Sequence, residues 1–229
     1  ITRVFNIMIF TIVTPTFNSE RYIGSTIESV LRQQGRFSID YIIVDNHSTD
    51  STVDVVRKYQ NMIAENQIGI DCNQVRLRLV VDHDEGMYDA INKGFSLAQG
   101  DVLAWINSDD IYLPGAFTCV MNAFIAYSDL SWIKGITSYV DSSSRIYEVG
   151  KCYLYYRNWI TRGIYGRYAY FIQQDSVFWR GRARLGDLVG LVGRFLGPDK
   201  ARAQLVPVGA ALKADADPRQ VQQAESLLA

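Results

Sequence analysis

The sequence predicts an α/β fold with a mostly parallel central sheet flanked by helices. Strands and helices alternate through the first half of the chain in the order β-α-β-α-β-α-β, and this order folds into a doubly wound parallel sheet with right-handed crossovers. The strand segments are almost uninterrupted apolar runs, as expected where helices cover both faces of a sheet. The four strands are predicted at 8–14, 41–44, 75–81 and 102–106.

Amphipathic helices are predicted between these strands. After each strand, apolar residues recur at the spacing of one helical face, as in the segment from Ile23 to Leu31. The segment Ser51-Thr52-Val53-Asp54 matches a capping box and predicts the start of the second helix. The four helices are predicted at about 23–34, 52–62, 86–98 and 114–125.

The chain changes character from Trp132 onwards. Two strands at 133–140 and 145–149, joined by a short polar segment, predict antiparallel material. All 14 tyrosines and all 4 tryptophans precede Arg180, after which Ala, Gly, Arg and Leu dominate. We therefore divide the chain into an α/β half at 1–130, a smaller mixed region at 131–182 and an atypical C-terminal segment at 183–229, expected to be helical or partly disordered.

Composition and charge narrow the class of protein. The chain has 229 residues, of which 48% are hydrophobic and 21% charged, as is ordinary for a soluble globular protein. A net charge of −1 argues against nucleic-acid binding. The three cysteines are too widely spaced for a metal cluster or a disulfide framework, which favours a cytoplasmic protein. The apolar run from Phe5 to Pro15 is too short to span a bilayer, so no transmembrane segment is expected, and peripheral association with the inner membrane face stays open.

Polar residues follow three of the predicted strands at the point where each strand ends. Because the carboxyl ends of parallel strands meet at one edge of a sheet, these residues share a crevice. The adjacent carboxylates Asp109 and Asp110 are ligands that suit a hard divalent cation, whose other side binds phosphates. Taken alone, a solvated acidic loop that caps the next helix is the better explanation of the two residues. The three segments are Thr14-Pro15-Thr16-Phe17-Asn18, Asp45-Asn46-His47-Ser48-Thr49-Asp50 and Asn107-Ser108-Asp109-Asp110.

Two common nucleotide-binding motifs are absent from the sequence. No G-x-G-x-x-G follows the first strand, which disfavours a Rossmann dehydrogenase, and no G-x-x-x-x-G-K-[ST] occurs, which excludes a P-loop NTPase.

Four stretches of the chain resemble the family 2 (GT2) glycosyltransferases, which have the GT-A fold. The resemblance covers about residues 8–182. It implies inverting transfer of a sugar from a nucleotide diphosphate to a hydroxyl acceptor, with Mg²⁺ or Mn²⁺ as cofactor. The implied partners are a UDP-, GDP- or dTDP-sugar donor and a glycan or lipid-linked acceptor, in polysaccharide or cell-surface glycan synthesis. The stretches are FTIVTPTFN, YIIVDNHSTDST, DEGMYDAINKGFSLAQGDVLAWINSDD and QQDSVFWR.

The resemblance also assigns residues to the nucleotide. By it, residues 1–130 form the nucleotide-sugar-binding half and residues 131–182 the acceptor-side half. Asp45 is expected to hold the base or ribose, and Lys93 to approach the phosphates. Thr14 and Pro15 are expected to line the nucleotide pocket. Asp84 and Gly86 are expected to form a turn near the nucleotide.

A D-x-D-like motif and a carboxylate near the acceptor complete the implied site. Asp109 matches the metal-binding aspartate, with Asp110 beside it, while Asn107 and Ser108 fill the first two positions. Asn107 departs from the family, which has an acid there. The acceptor-side motif makes Asp175 the candidate catalytic base, and Arg180 is expected to pair with a phosphate or with carboxylates of the sheet.

Two other functions remain open from the sequence. The chain departs from the family pattern after Gly181, which fits a truncated or vestigial protein that binds nucleotide sugars without turnover. A nucleotidyltransferase also combines acidic residues with Mg²⁺ on an α/β sheet. The segment from Thr14 to Asn18 lacks a Gly-rich basic loop for a triphosphate, so this function ranks behind the others.

Overall fold

The computed structural model describes residues 7–141, 145–150 and 174–181, together with the backbone of 205–211. Within them, nine strands and four α-helices form one α/β unit, and the predicted fold class is confirmed. The elements are β1 (Met8–Thr16), α1 (Ile23–Leu31), β2 (Phe37–Asp45), α2 (Thr52–Ala64), β3 (Gln74–Val81), α3 (Met87–Ser96), β4 (Val102–Trp105), β5 (Asp110–Tyr112), α4 (Ala116–Ala126), β6 (Trp132–Val140), β7 (Ile146–Val149), a 3₁₀ turn (Gln174–Ser176), β8 (Val177–Arg180) and β9 (Leu205–Ala211).

The first four strands are parallel and lie in the order β3-β2-β1-β4. The chain leaves β1 towards β2 and β3, and then returns past both to add β4 on the other side of β1. This return places α3 on the face of the sheet opposite α1 and α2, because each crossover is right-handed. The adjacent ends of β1 and β4 therefore form the topological switch point, where doubly wound sheets bind ligands.

Alternating side chains of β1 feed two apolar layers. Phe10 and Ile12 face α1, α2 and α4, whereas Val13 faces α3. The first layer centres on stacked aromatic rings, with the centroids of Phe10 and Phe117 4.9 Å apart. In β8, Phe178 joins this layer and the neighbouring Trp179 joins the other. These two layers pack on opposite faces of the sheet beneath the crevice.

The remaining strands make the sheet mixed. β8 runs antiparallel between β4 and β6, and β7 pairs antiparallel with β6, as predicted for the second region. β9 pairs with both β6 and β5, so residues 205–211 form a strand in a segment expected to be helical or partly disordered. The β-branched Val206 and Val208 favour the extended backbone found there. The rest of the segment 183–229 lies outside the described residues.

The start of α2 differs from the capping box that the sequence predicts. The Ser51 side chain makes no capping hydrogen bond. Instead, Oδ1 of Asp50 accepts hydrogen bonds from the N–H of Thr52 at 3.0 Å and from the Thr52 hydroxyl at 2.5 Å. The acceptor thus comes from one residue earlier, because Ser51 at the N-cap position has φ −78° and ψ 9° and lacks the extended backbone of a capping serine.

The described cysteines form no disulfide, and the described helices are not of the membrane-spanning kind. Cys72 and Cys119 are free thiols, and Cys152 lies outside the described residues. None of the helices in the described ranges is both long and apolar enough to cross a membrane.

Candidate functional site

The carboxyl ends of the parallel strands form one edge of the sheet. Thr16 aligns with Asp45, Asp45 with Val81, and Val13 with Trp105, so the loops that follow these strands meet above β1. The loops after β1 and β4 are also tied together. The hydroxyl oxygens of Ser19 and Ser108 are 2.8 Å apart, and the Thr26 hydroxyl donates to the Ser108 carbonyl at 2.8 Å.

Asp45 is fully buried and organises the loop after β2. The N–H of Ser48 donates to Oδ1 of Asp45 at 2.9 Å, and the Ser48 hydroxyl donates to Oδ2 at 2.5 Å. Ser48 Oγ in turn accepts the N–H of Asn18, and Asn18 Oδ1 accepts the N–H of Thr49, each at 2.8 Å. The structure therefore places the Asp45 carboxylate inside the loop. Its contact with a base or ribose stays a prediction.

Thr14 and Pro15 are buried beneath the edge. The hydroxyl of Thr14 lies 3.0 Å from that of Tyr41, on the α1 side of the sheet. Burial raises the pKa of Tyr41 far above its ordinary value, against a smaller opposing effect of this hydrogen bond. This pair lies beneath the crevice, and the contact of Thr14 and Pro15 with a nucleotide stays a prediction.

Asn46 joins the loop after β2 to the turn before α3. Its side-chain carbonyl accepts the N–H of Asp84 at 3.0 Å, and its amide nitrogen donates to the Asp84 carbonyl at 3.5 Å. The Asp84 carboxylate accepts the N–H of Gly86 at 2.9 Å, and Gly86 has a φ of 123°, which favours glycine. Asn46 was not singled out from the sequence, although its position directly after Asp45 is a usable signal.

Lys93 anchors this turn to α3. Its ammonium group donates to Asp82 at 2.8 Å, lies 3.5 Å from Asp89 and also donates to the His83 carbonyl. The hydrogen bond to Asp82 raises the pKa of Lys93, and the same contact lowers the pKa of Asp82. The structure thus pairs this cation with protein carboxylates. A role at the phosphates stays a prediction and requires Lys93 to change partners.

The turn after β4 separates the two adjacent aspartates. Asp109 is exposed and makes no hydrogen bond or ion pair with any described residue. Asp110 begins β5, is only 5% exposed, and accepts a hydrogen bond from Asn107 Nδ2 at 3.1 Å. Ser108, which precedes Asp109, is buried. The structure thus presents one carboxylate of the predicted metal pair to the crevice and encloses the other.

The residues of this turn fit a metal ion that takes some of its ligands from the protein and the others from a bound substrate. Among the described residues, no three His, Cys, Asp or Glu side chains form a group that could hold a metal ion alone. Mg²⁺ is commonly bound by one or two carboxylates together with substrate phosphates and water. Exposed Asp109 supplies such a carboxylate. The amide oxygen of Asn107 is buried without a hydrogen bond from the described residues, and is a second oxygen of the right type.

Asp175 lies at the same edge, on the 3₁₀ turn that precedes β8. It is 2% exposed, and the Thr137 hydroxyl donates to its Oδ1 at 3.3 Å. Buried Tyr112 is close by: burial raises its pKa well above the ordinary value, and the charges of Asp175, Tyr41 and Asp110 act in the same direction. Tyr112 was not predicted from the sequence. The structure thus brings Asp175 and Asp110 into one buried polar cluster.

Arg180 has a different role from the one expected. It is the last residue of β8 and pairs with Val102 at the opposite, amino edge of the sheet. Its guanidinium donates to the carbonyls of Leu130 at 2.7 Å and Phe124 at 2.8 Å, and lies 4.8 Å from the Phe124 ring. Arg180 therefore caps the end of α4 and is too far along the sheet to meet a phosphate in the crevice. That expectation is wrong.

A doubly wound sheet with polar loops at its switch point defines the class of α/β proteins that bind ligands at this edge. The chain belongs to Glycosyl transferase family 2, whose model matches residues 11–179.

Two curated relatives show how much of a longer protein this chain resembles. A PGL/p-HBAD biosynthesis glycosyltransferase of Mycobacterium bovis is 33% identical over 117 residues, which are 51% of this chain and 41% of that protein. The putative teichuronic acid biosynthesis glycosyltransferase TuaG of Bacillus subtilis is 33% identical over 100 residues, which are 43% of this chain and 35% of that protein. Each match covers less than half of the relative's length.

Solved structures of TarS from S. aureus have a similar fold. The structure of TarS residues 1–349 has a TM-score of 0.60 at 18% identity, covering 96% of this chain and 64% of that chain. The same fragment in complex with UDP-GlcNAc has a TM-score of 0.59 at 17% identity, covering 96% and 65%. The GT-A fold expected from the sequence is confirmed.

Proposed function

We propose that this chain is the donor-binding and catalytic part of a glycosyltransferase. It transfers a sugar from a nucleotide diphosphate sugar to a hydroxyl acceptor, in the synthesis of a cell-surface glycan. Membership of the family and the names of both relatives support this activity. The observation that carries it is Asp109, an exposed carboxylate without a partner among the described residues, at the switch point of the sheet.

The donor binds in the crevice above β1 and β4. The loop held by Asp45 and the turn held by Asn46 form one wall, and the turn from Asn107 to Asp110 forms the other. These loops are hydrogen-bonded to one another, which limits the conformational entropy lost when the nucleotide binds. A uridine nucleotide is the first choice, because TarS has been solved with UDP-GlcNAc and with UDP.

The reaction depends on Mg²⁺ or Mn²⁺ held by Asp109, with the amide oxygen of Asn107 as the second protein oxygen near it. When bound, such an ion neutralises the negative charge that develops on the departing diphosphate. Asp109 is suited to this role because its carboxylate is exposed and has no competing cation among the described residues.

Transfer inverts the anomeric carbon, and the acceptor hydroxyl loses its proton to a carboxylate as it attacks. Asp175 is the candidate base, because it lies at the carboxyl edge and Thr137 orients its Oδ1. The acceptor is a glycan or a lipid-linked sugar, in line with the envelope glycans named for the relatives. The protein acts in the cytoplasm or at the inner face of the membrane, where nucleotide sugars are available.

A thermal-shift panel tests this function. The protein is heated with UDP, GDP or dTDP and with their sugars, in Mn²⁺ or in EDTA. One nucleotide series should raise Tm with Mn²⁺ and much less with EDTA, because a ligand at about 100 times its Kd stabilises the folded state by about 2.7 kcal/mol. A panel in which no nucleotide diphosphate raises Tm contradicts the proposal.

A turnover assay then separates the remaining alternatives. Release of UDP from a UDP-sugar in the presence of Mn²⁺ indicates a transferase. No acceptor is added in this assay, so water takes the place of the acceptor hydroxyl and the donor is hydrolysed. Tight nucleotide binding without any hydrolysis or transfer favours the vestigial protein. Formation of a nucleotide sugar from a nucleoside triphosphate and a sugar phosphate identifies a nucleotidyltransferase.

A further inference from the structure

Asn107 and Asp110 close a tight turn around Asp109. The N–H of Asp110 donates to the Asn107 carbonyl at 3.2 Å, and the side-chain amide nitrogen of Asn107 donates to Oδ2 of Asp110 at 3.1 Å. Asp110 is 5% exposed and belongs to β5, which pairs with β9. The turn is therefore joined to the sheet through the backbone of Asp110 and closed by the buried carboxyl group of the same residue.

The side-chain hydrogen bond decides which end of the Asn107 amide faces the ligand. Its nitrogen is committed to Asp110, so its carbonyl oxygen points elsewhere. That oxygen is buried and accepts no hydrogen bond from the described residues. A buried acceptor without a donor is unfavourable, and native proteins rarely keep one without a partner such as water or a ligand.

We propose that Asp110 is a positioning residue for donor binding. It orients Asn107 so that the amide oxygen of Asn107 contacts the nucleotide–metal complex, either at a hydroxyl group or at the cation. The inference rests on the proposed function. This role of Asp110 also explains why position 107 carries an amide where the family has an acid. Positions 107 and 110 together then hold a single carboxyl group, that of Asp110, which binds the Asn107 amide and not the ligand.

The charge at position 107 is constrained by Asp110. An aspartate at 107 would place two carboxyl groups about 3 Å apart, one of them buried, and like charges at this distance disfavour each other strongly. Exchanging the two residues restores one amide and one carboxyl group. Asn107 and Asp110 therefore act as a unit, whose members have coupled effects when substituted.

Four proteins test the coupling without any ligand: the wild type, N107D, D110N and N107D/D110N. Thermal unfolding should show a Tm for N107D about 2–4 °C or more below the wild type, because the added carboxylate faces Asp110. The double variant should recover most of that loss. Additive shifts in Tm contradict the pair, and this result does not depend on whether the protein binds nucleotides.

Calorimetric titration with UDP then tests the positioning role. In D110N two side-chain amides face each other, and each can present either its oxygen or its nitrogen to the other. The orientation of the Asn107 amide is then no longer fixed, and the Kd for UDP should rise about tenfold. A rise seen only with Mn²⁺ indicates contact with the cation, whereas a rise also seen in EDTA indicates a hydroxyl group of the nucleotide. An unchanged Kd for D110N overturns the positioning role.

D40N is the matched control. Asp40 is also a buried aspartate, 8% exposed, but it pairs with Arg78 at 2.5 Å, on the α3 side of the sheet. D40N should lower Tm and leave the Kd for UDP unchanged. Should the wild type bind no nucleotide diphosphate, the proposed function fails, while the stability measurements still decide whether Asn107 and Asp110 form a pair.

Discussion

Asp109 and Asp110 carry the same side chain, yet the turn between β4 and β5 places them in opposite environments. Asp109 is exposed and Asp110 is enclosed beside Asn107. A pair of adjacent acids in a sequence therefore does not imply a pair of ligands. Which carboxylate meets a ligand depends on where the next strand begins, and β5 begins at Asp110.

Arg180 illustrates the reverse case, a residue of the family-like motif with a structural role. R180M should lower the free energy of unfolding by about 1–3 kcal/mol, because the carbonyls of Leu130 and Phe124 lose a charged donor. Urea denaturation measures this loss, with R76M, at an exposed position of β3, as the control. The Kd for nucleotide should not change, and a large rise in Kd would restore Arg180 to the phosphate site.

Helix α3 begins directly after the turn that carries Asp84 and holds that turn against the sheet. Gly94 packs directly on β1, where a Cβ atom would overlap the side chain of Val13. G94A should therefore destabilise the protein by about 1–2 kcal/mol, since overpacking costs more than the helix propensity that alanine gains. Urea denaturation checks this, with G69A, whose Cβ would meet nothing within 4 Å, as the control.

The V13A background shows whether this contact is responsible. Removing the overlapping atoms of Val13 should make G94A neutral or slightly stabilising. An equal loss of stability in both backgrounds would mean that α3 does not rest on β1 through Gly94.

Lys93 of α3 forms an ion pair with Asp82 whose contribution to stability depends on pH. Its hydrogen bond lowers the pKa of Asp82 below the ordinary value of 3.8, so the folded state binds that proton less readily than the unfolded state. The contact therefore stabilises the fold above that ordinary value and is lost as the pH falls through the lowered one. K93M should be less stable than the wild type near pH 7, and the difference should shrink towards pH 3.

Urea midpoints at several pH values measure this difference. The effect is small because both side chains are partly exposed to solvent. K58M, at an exposed position of α2, is the control and should show no comparable trend. A difference that grows on acidification would contradict the ion pair.

Local sequence patterns predict the parallel half of the sheet. The sequence signals for these elements are local: they are the apolar runs of β1 and β4 and the helical spacing in α1. Each is contained in a few consecutive residues, so it can be recognised without knowledge of tertiary contacts. The placement of β8 between β4 and β6 depends on contacts between distant parts of the chain. The three-residue β5 is too short to show a period, and β9 is paired with strands far away in sequence.

The candidate site divides in the same way. Asp109 was predicted as the ligand through the resemblance of its segment to the family, and its exposed position is compatible with that role. The contacts of Asn46 with Asp84 and of Ser48 with Asp45 were not predicted, because loop conformation decides which polar side chains meet. Sequence patterns locate the edge of the sheet, whereas the pairing of its side chains requires the structure.

In the proposed function, a nucleotide diphosphate binds at the switch point through a cation held by Asp109. This binding mode can be measured by calorimetric titration of the wild type, D109N and the exposed control D129N with UDP, in Mn²⁺ and in EDTA. Mn²⁺ should lower the Kd about tenfold or more for the wild type and D129N. D109N should lose that gain while keeping the Tm of the wild type. An equal effect of Mn²⁺ on all three proteins would contradict a cation held by Asp109.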